Sequence, residues 1–275
     1  LTVMIYILFL KVMGQLGYNE TEITIAGNDA YNYQGVGTPH PLAKLQPGEK
    51  VLDLGSGLGI DSIIAATRVT GTGSVTGLDL SKAEVKHANE RASRRELNQL
   101  SFVTGDMEKM DFEANSFDAV ISNGAFCLAP SKEAAFGEIF RVLKPGGRCS
   151  ICTSVIKKAL GPTVKWPLCM RMFIHKDVIK PMIEEIGFVN VFIDDSNSLM
   201  AFEEEEDEKI IEDSSKGIED SNEGNKNNSS EDKKRSEELR KKTAVHVGSA
   251  EFEHLSALDM NDICARVVVY GRKPQ

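Results

Sequence analysis

The sequence predicts an α/β fold in which helices cover both faces of an open, mostly parallel sheet. Three observations predict it. Strand-like and helix-like segments alternate between about residues 47 and 155, a rhythm typical of strands joined by helical crossovers. The first strand runs directly into a loop with glycines at positions 55, 57 and 59. The 275 residues are 41% hydrophobic, which is enough for one large α/β domain or two small ones.

Alternating apolar and turn-rich segments define the elements. Five strands are predicted first: Lys50–Leu54, Ser74–Leu80, Leu100–Thr104, Phe117–Ser122 and Arg148–Val155. Three helices lie between them: Asp61–Val69, Ser81 to about Leu97, and Lys132–Leu143. Ser81 is a candidate N-cap with Glu84 completing a capping box, and Pro145-Gly146-Gly147 predicts a helix stop. A helix ending at Gly187 and two more strands follow: Asp177–Ile186, Val189–Asp194 and Ala265–Tyr270.

Composition divides the chain into three parts. Residues 1–34 are predicted to pack on a domain formed by 35–202 and 248–275, and 203–247 form an acidic, low-complexity insertion. Positions 203–242 hold 15 acidic and 9 basic residues with few apolar ones, so this stretch is predicted to be disordered. It is either a solvated loop or a docking segment for a protein partner. No basic cluster lies along the rest of the chain, so nucleic acid is not an expected partner.

The N-terminus and the cysteines bear on location. Residues 1–10 are strongly apolar but too short to span a bilayer as a helix, although a truncated anchor stays open. Five cysteines without disulfide-type spacing favour a reducing compartment, and we expect the cytoplasm. Cys149 and Cys152 form a C-x-x-C pair inside a predicted strand. Residues three apart on a strand face opposite ways, so both are predicted to be core residues and no metal site is expected there.

Chemistry-bearing residues follow the predicted strands, where ligands bind in open parallel sheets. The glycine loop allows close approach of backbone amides to a ligand, and Ile60 occupies the place of the last glycine of the dinucleotide fingerprint. Asp79 could accept hydrogen bonds from ribose hydroxyls, and Asp106 with Met107 could contact an adenine. The predicted cofactor-binding residues are Asp53, Gly55, Ser56, Gly57, Gly59, Asp79, Leu80, Asp106, Met107 and Asn123.

Four strings carry a resemblance to a known family: Val51–Gly59, Val75–Ser81, Phe117–Asn123 and Arg141–Gly147. Residues 35–155 resemble the cofactor-binding domain of class I S-adenosylmethionine (SAM)-dependent methyltransferases. The resemblance implies a Rossmann-like, seven-stranded sheet with one antiparallel strand near its edge. It also implies SAM as cofactor, a small-molecule methyl acceptor, and an acidic insertion that precedes the last strand.

Within that group the chain looks most like the arsenite methyltransferases. The likeness lies in Gly17–Glu22, Gly35–Leu42, Asp61, Ile121–Pro130 and Val267–Pro274. Cys169 resembles a family cysteine that binds arsenic, and Cys127 is a candidate second thiol; with Asn123, near the methyl donor, they form the predicted catalytic set. Trivalent arsenic needs two or three thiolates. One family cysteine is replaced by Thr38, and another has no counterpart in 195–262.

Other functions stay open at this point. The acceptor could be a quinone precursor, a sterol or another organic molecule methylated on carbon or oxygen, with His40 and His175 as candidate proton acceptors. A nicotinamide-dependent oxidoreductase is a second possibility, against which Ile60 argues. A third is a catalytically silent SAM-binding domain whose insertion recruits a partner.

Overall fold

A computed structural model of the chain describes residues 10–158, 161, 165–200 and 258–275. Seven strands form one sheet: β1 (Lys50–Leu54), β2 (Ser74–Asp79), β3 (Leu100–Thr104), β4 (Phe117–Asn123), β5 (Leu143–Ile156), β6 (Val189–Asp194) and β7 (Cys264–Arg272). The α-helices with described bounds are α1 (Glu20–Ala26), α2 (His40–Ala43), α3 (Ile60–Arg68), α4 (Lys82–Arg94), α5 (Lys132–Val142), α6 (Leu168–Arg171), α7 (Lys176–Ile186) and α8 (Met260–Ile263). The predictions for 1–9 and 203–247 lie outside the described residues.

The strand order is β3-β2-β1-β4-β5-β7-β6. The contacts among β1 to β5 are parallel, and β7 is antiparallel to both β5 and β6. The predicted seven-stranded, mostly parallel sheet with one antiparallel strand near its edge is therefore confirmed. The order reverses between β1 and β4, and open sheets bind ligands at such a reversal.

Two apolar clusters lie on opposite faces of the sheet. One contains residues of α5 and α7, and the other contains residues of α3 and α4. Met13, Leu16 and Tyr18 of the N-terminal segment form a third cluster with Ile60 and Ile64 of α3. Helices therefore cover both faces, as predicted. In the described part of the chain, no helix has the length and apolar character needed to cross a membrane.

Two local predictions need correction. Ser81 caps α4 by accepting from the Glu84 amide at 3.3 Å, but its own amide donates to Asp79 Oδ1 at 2.8 Å instead of completing a capping box. The Pro145-Gly146-Gly147 run lies within β5 instead of preceding it. Leu143 is already extended and pairs with Phe117, so α5 ends at Val142 and the run forms a bulge in the strand.

The C-x-x-C pair of β5 is structural. Cys149 and Cys152 are both buried in the sheet, with exposed fractions of 0% and 1%. Burial raises the pKa of Cys149 to about 12 and that of Cys152 well above the ordinary value for a thiol. Both side chains are therefore protonated at neutral pH and act as small apolar residues.

Candidate functional site

A cavity of about 270 Å³ lies beyond the carboxyl ends of β1, β2 and β4. We call it the glycine-loop cavity because the loop after β1 forms one wall. The structure brings together seven of the predicted site residues in its lining: Asp53, Gly55, Ser56, Gly57, Gly59, Asp79 and Asn123. Most of the residues that were predicted because they follow parallel strands therefore lie in one place.

The glycine loop is held by the neighbouring strand. The amides of Gly55 and Ser56 donate to the Leu78 carbonyl at 2.7 and 3.1 Å. Gly55 has a φ of 65°, and a Cβ there would lie 2.0 Å from the Cβ of Ala125, so no larger residue fits. Gly57 has a φ of 52° and open space on its side-chain face, which leaves room for a ligand.

Asp79 lies at the end of β2 opposite this loop. Its Oδ2 accepts from the Gly57 amide at 2.9 Å, and its Oδ1 accepts from the Ser81 amide at 2.8 Å. Each oxygen retains lone-pair capacity for another donor. The carboxylate is therefore fixed in position and still able to accept bonds from a ligand. Leu80, which follows it, is 75% exposed and does not line the cavity.

The cavity is acidic. Asp53, Asp61, Asp79 and Glu84 contribute to its lining, and none of the described lining residues is basic. Asp53 is 2% exposed and accepts from the Ser62 hydroxyl at 2.6 Å. Burial, followed by the nearby Asp61 carboxylate, raises the pKa of Asp53 well above its ordinary value. Such a lining is complementary to a cationic ligand.

Asn123 joins the end of β4 to the segment that precedes β1. Its Oδ1 accepts from the Val36 and Gly37 amides at 2.8 and 3.2 Å. Its Nδ2 lies within 2.7 to 3.1 Å of four oxygens, those of the Gly37 carbonyl, the Asp61 carboxylate and two tyrosine hydroxyls. Contacts with protein therefore occupy this amide, which acts first to hold residues 36–37 over the cavity.

The network around Asn123 includes residues to which the sequence assigned no role. Tyr18 donates to Asp61 Oδ1 at 2.6 Å, and Tyr33 donates to the Gly37 carbonyl at 2.7 Å. Burial raises the pKa of both phenols well above the usual range, so both are protonated. The string Gly17–Glu22 flagged the region of Tyr18, but Tyr33 carried no signal.

Both candidate histidines have structural contacts. His40 is 1% exposed and its Nε2 lies 3.0 Å from Asp61 Oδ1. His175 caps α7 by accepting from the Asp177 amide at 3.3 Å, and its Nε2 lies 3.0 Å from the Lys157 carbonyl oxygen. Neither lines the glycine-loop cavity.

Four other predicted residues are not brought into the lining. Asp106 Oδ1 accepts from the Glu108 amide at 2.9 Å, which closes a local turn. Met107 Cε lies 3.5 Å from the position of a Cβ at Gly55, beneath the loop. Cys127 is buried and its thiol donates to the Gly124 carbonyl at 3.1 Å. Cys169 belongs to α6, but its side chain lies outside the described part.

The fold and this site together define a class of protein. A sheet of this order, with a glycine loop facing a carboxylate on the adjacent strand, is that of the SAM-dependent methyltransferases. A family model described as a methyltransferase domain matches residues 45–187, and the chain belongs to that family. The resemblance found in the sequence is thereby confirmed, and SAM is the cofactor of this family.

Individual relatives agree with this assignment. The chain is 33% identical over 184 residues to an arsenite methyltransferase from Halobacterium salinarum, a match that covers 65% of this chain and 47% of the relative. It is 42% identical over 110 residues to a sterol 24-C-methyltransferase from Saccharomyces cerevisiae, covering 40% and 28%. The chain thus spans less than half of each of these relatives.

A solved structure has the same fold. It is an arsenic(III) S-adenosylmethionine methyltransferase from Chlamydomonas reinhardtii, with a TM-score of 0.57 and 20% identity. The alignment covers 97% of this chain and 73% of that one. At this identity the likeness concerns the fold alone.

Proposed function

We propose that this chain is a SAM-dependent methyltransferase that acts on a small molecule. The observation that carries the proposal is the acidic glycine-loop cavity at the reversal of strand order. Its residues fit the cofactor, because SAM carries a cationic sulfonium and an ammonium group that four nearby carboxylates would stabilise. The Ser56 hydroxyl adds to the fit, since it is buried and has no hydrogen-bond partner among the described residues.

Each residue then has a role in holding the cofactor. The Gly55–Gly57 backbone would lie against it, Asp79 would accept from its ribose hydroxyls, and Asp53 would stabilise its positive charge. Asp106 and Met107, which follow β3, remain the proposed residues for the adenine. When bound, SAM supplies an electrophilic methyl group, and Asn123 keeps residues 36–37 over it to exclude water.

The charge of the cavity disfavours the nicotinamide alternative. A dinucleotide brings a pyrophosphate, and glycine loops bind it through free amides and a helix N-terminus. Here the Gly57 amide already donates to Asp79, and Asp61 lies in the first turn of α3. The Gly57 amide is therefore occupied, and the two carboxylates would repel a pyrophosphate.

We further propose trivalent arsenic, held by thiolates, as the acceptor. The support is the similarity to the Halobacterium arsenite methyltransferase together with Cys169 and Cys127. An arsenic lone pair is a good nucleophile, so this transfer requires positioning more than a strong base. An organic acceptor is the second candidate, and the similarity to a sterol 24-C-methyltransferase favours it.

A methyl-transfer assay tests the acceptor. We expect the full chain with labelled SAM, arsenite and a thiol reductant to form methylated arsenic. The Cys169→Ser variant should lose at least about 90% of this activity, because a hydroxyl is a poor ligand for a soft ion. Cys264→Ser, at a cysteine with no proposed role, is the matched control.

The outcomes test the arsenic acceptor, methyl transfer and SAM binding separately. No methylated arsenic from a chain that binds SAM would overturn the arsenic acceptor and direct the screen to quinone precursors and sterols. SAM binding without transfer to any of them would favour the catalytically silent alternative. Absence of SAM binding to the folded chain would overturn the methyltransferase function itself.

Asp53 gives the site a pH dependence. A carboxyl with a raised pKa in the folded state contributes stability below its unfolded pKa and loses it as pH rises through the folded pKa. We expect Asp53→Asn, which keeps the acceptor for Ser62, to unfold at higher urea than wild type at pH 8, because it avoids burying a charge. The gain should shrink at pH 5.

The same variant should bind SAM more weakly, because it lacks one negative charge facing the cation. Urea titrations at the two pH values and calorimetric titration with SAM measure the two effects. A variant less stable than wild type at pH 8 would contradict the assigned cause of the pKa shift.

The remaining proposals concern partners and location. We keep the reducing cytoplasm as the proposed location, supported by cysteines without disulfide-type spacing. We also keep residues 35–202 and 248–275 as the catalytic domain. The acidic 203–247 segment is proposed as a separate insertion, and its deletion should leave SAM affinity unchanged if it only recruits a partner.

A further inference from the structure

His40 lies directly behind the glycine-loop cavity, although it does not line it. It is 1% exposed, and its Nε2 lies 3.0 Å from Oδ1 of Asp61, which does line the cavity. The Asp61 side chain is 10% exposed, so its carboxylate connects the buried imidazole with the space for a ligand. This pair has no role in the function proposed above.

The Asp61 carboxylate is held by side chains from three segments of the chain. Tyr18 and His40 donate to Oδ1 at 2.6 and 3.0 Å, and Asn123 donates to Oδ2 at 3.0 Å. An ionised carboxylate has about four acceptor sites, so about one remains for a ligand. The three donors therefore fix the orientation of the carboxylate and leave it able to act on the cavity.

The imidazole of His40 is a neutral donor in this arrangement. We assign its hydrogen to Nε2, because a carboxylate oxygen can only accept. Nδ1 is buried without a hydrogen-bond partner among the described residues, and a second hydrogen there would be a buried donor without an acceptor. Tyr18 is protonated and Asn123 is uncharged. None of the three donors thus brings a positive charge that would cancel that of Asp61.

Asp53 also lines the cavity, but its charge is less well supported. Ser62 supplies its hydrogen bond, with the hydroxyl at 2.6 Å. Burial, followed by the nearby Asp61 carboxylate, raises the pKa of Asp53 well above its ordinary value. Of the two neighbouring carboxyl groups, Asp61 therefore holds a negative charge at the lower cost.

The cofactor and its product differ in charge. SAM carries a sulfonium and an ammonium group, whereas S-adenosylhomocysteine carries only the ammonium group, because loss of the methyl leaves a neutral thioether. A carboxylate whose charge is not cancelled by its donors favours SAM over the product. The size of this preference depends on the orientation and charge of Asp61, to which the hydrogen bond from His40 contributes.

We propose that His40 is a positioning residue that holds the Asp61 carboxylate towards the cavity and thereby favours SAM over S-adenosylhomocysteine. The proposal rests on the methyltransferase function proposed above, and it eases release of the product after each transfer. Because His40 acts from outside the cavity, its substitution changes the support of the carboxylate without removing a group that lines the cavity.

The ratio of two affinities tests this role. Calorimetric titration of the full chain with SAM and with S-adenosylhomocysteine at pH 8 gives the ratio, and we expect wild type to bind SAM more tightly. His40→Leu should lower this preference at least about fivefold, because Asp61 loses a hydrogen bond to its charged form. His40→Gln, whose amide nitrogen can replace the Nε2 donor, should stay within about twofold of wild type.

A double-mutant cycle shows whether His40 acts through Asp61. Asp61→Asn removes the charge and should lower the preference for SAM at least as much as His40→Leu does. Adding His40→Leu to Asp61→Asn should change the preference no further, because the group that His40 positions is then already neutral. His175→Leu is the matched control. It removes the cap of α7 outside the cavity, so it should reduce stability and leave the preference unchanged.

Four results would overturn the proposal. They are an unchanged preference in a folded His40→Leu chain, equal losses in His40→Leu and His40→Gln, additive losses in the double variant, and tighter SAM binding by His40→Leu, which would mean that the imidazole is cationic. A wild type that binds SAM and S-adenosylhomocysteine equally well would also remove this role from His40. A wild type that binds neither would instead overturn the methyltransferase function, so the two failures are distinguishable.

Discussion

We expect the Asp79→Ala variant to lose SAM binding while it stays folded. The wild-type carboxylate accepts from two backbone amides and is proposed to accept from both ribose hydroxyls. Hydrogen bonds to a charged acceptor contribute about 1.5–3 kcal/mol each, so losing two lowers affinity by at least about two orders of magnitude. The cavity also loses one of its four carboxyl groups.

The stability cost should be smaller than the affinity cost. The Gly57 and Ser81 amides lie at the cavity edge, and water can replace the carboxylate as their acceptor. Calorimetric titration with SAM and a urea unfolding curve on the same preparation measure both quantities. Asp79→Asn, which keeps an acceptor oxygen without the charge, should fall between alanine and wild type.

A carboxylate at the amino end of a central strand, away from the glycine-loop cavity, supplies the control. Asp118 lies at the start of β4, where it accepts from the Lys50 amide and the Lys144 ammonium at 2.8 Å. Asp118→Ala should reduce stability without changing SAM affinity, because the residue lies far from the glycine loop. A folded Asp79→Ala chain with wild-type affinity would remove Asp79 from the site.

The part of the fold that could be predicted is the part encoded locally. β1, β3 and β6 have the predicted bounds, because each is a short apolar run between turn residues. Asp79 and the glycine loop were predictable for a related reason. Residues that follow parallel strands lie at the same end of the sheet, so the sequence pattern alone predicts that they are close together.

The clamp is the hydrogen-bond network in which Tyr18, Tyr33 and Asp61 surround the Asn123 amide. It could not be predicted in the same way. Tyr18 and Asn123 are 105 positions apart, and Tyr33 and Asn123 are 90 apart. These contacts depend on how the N-terminal segment packs on α3. That segment does not follow a strand of the sheet, so its position could not be predicted from where the strands end. The sequence placed Asn123 near the methyl donor but did not indicate that protein contacts occupy its amide.

Asp106 is a residue for which the sequence pattern is ambiguous. A short acidic residue after β3 is as well suited to closing a turn as to binding a ligand, and its side chain accepts from the Glu108 amide. A second cavity of about 240 Å³, lined in part by Arg266, was also missed, because its walls come from five separated segments. Arg266 itself lies in a run that reads as an ordinary buried strand.

Asn123→Asp tests the clamp, and we expect it to destabilise the chain by about 3 kcal/mol at pH 8. The change replaces the Nδ2 donor with an acceptor that faces the Asp61 carboxylate and the Gly37 carbonyl, at 3.0 and 2.7 Å. Both tyrosine hydroxyls already donate elsewhere, Tyr18 to Asp61 and Tyr33 to Gly37. The new carboxylate therefore has no donor for its second oxygen.

The destabilisation should depend on pH. The new carboxyl has a higher pKa in the folded than in the unfolded state, so its penalty is small below the unfolded pKa and grows as pH rises through the folded one. The difference in unfolding free energy from wild type should thus be smaller at pH 5 than at pH 8. Taking this difference cancels the contribution of Asp53, which both chains share.

Asn123→Leu is the uncharged comparison. It removes the Nδ2 hydrogen bonds, and also the Oδ1 acceptor of the Val36 and Gly37 amides, without adding a charge, so its deficit should not change between pH 5 and pH 8. Urea unfolding of the three chains at both pH values measures this, and a deficit for Asn123→Asp that is independent of pH would contradict the contact with Asp61. Because Asn123 lines the glycine-loop cavity and holds residues 36–37 beside it, both variants should also weaken SAM binding, although neither changes the glycine loop.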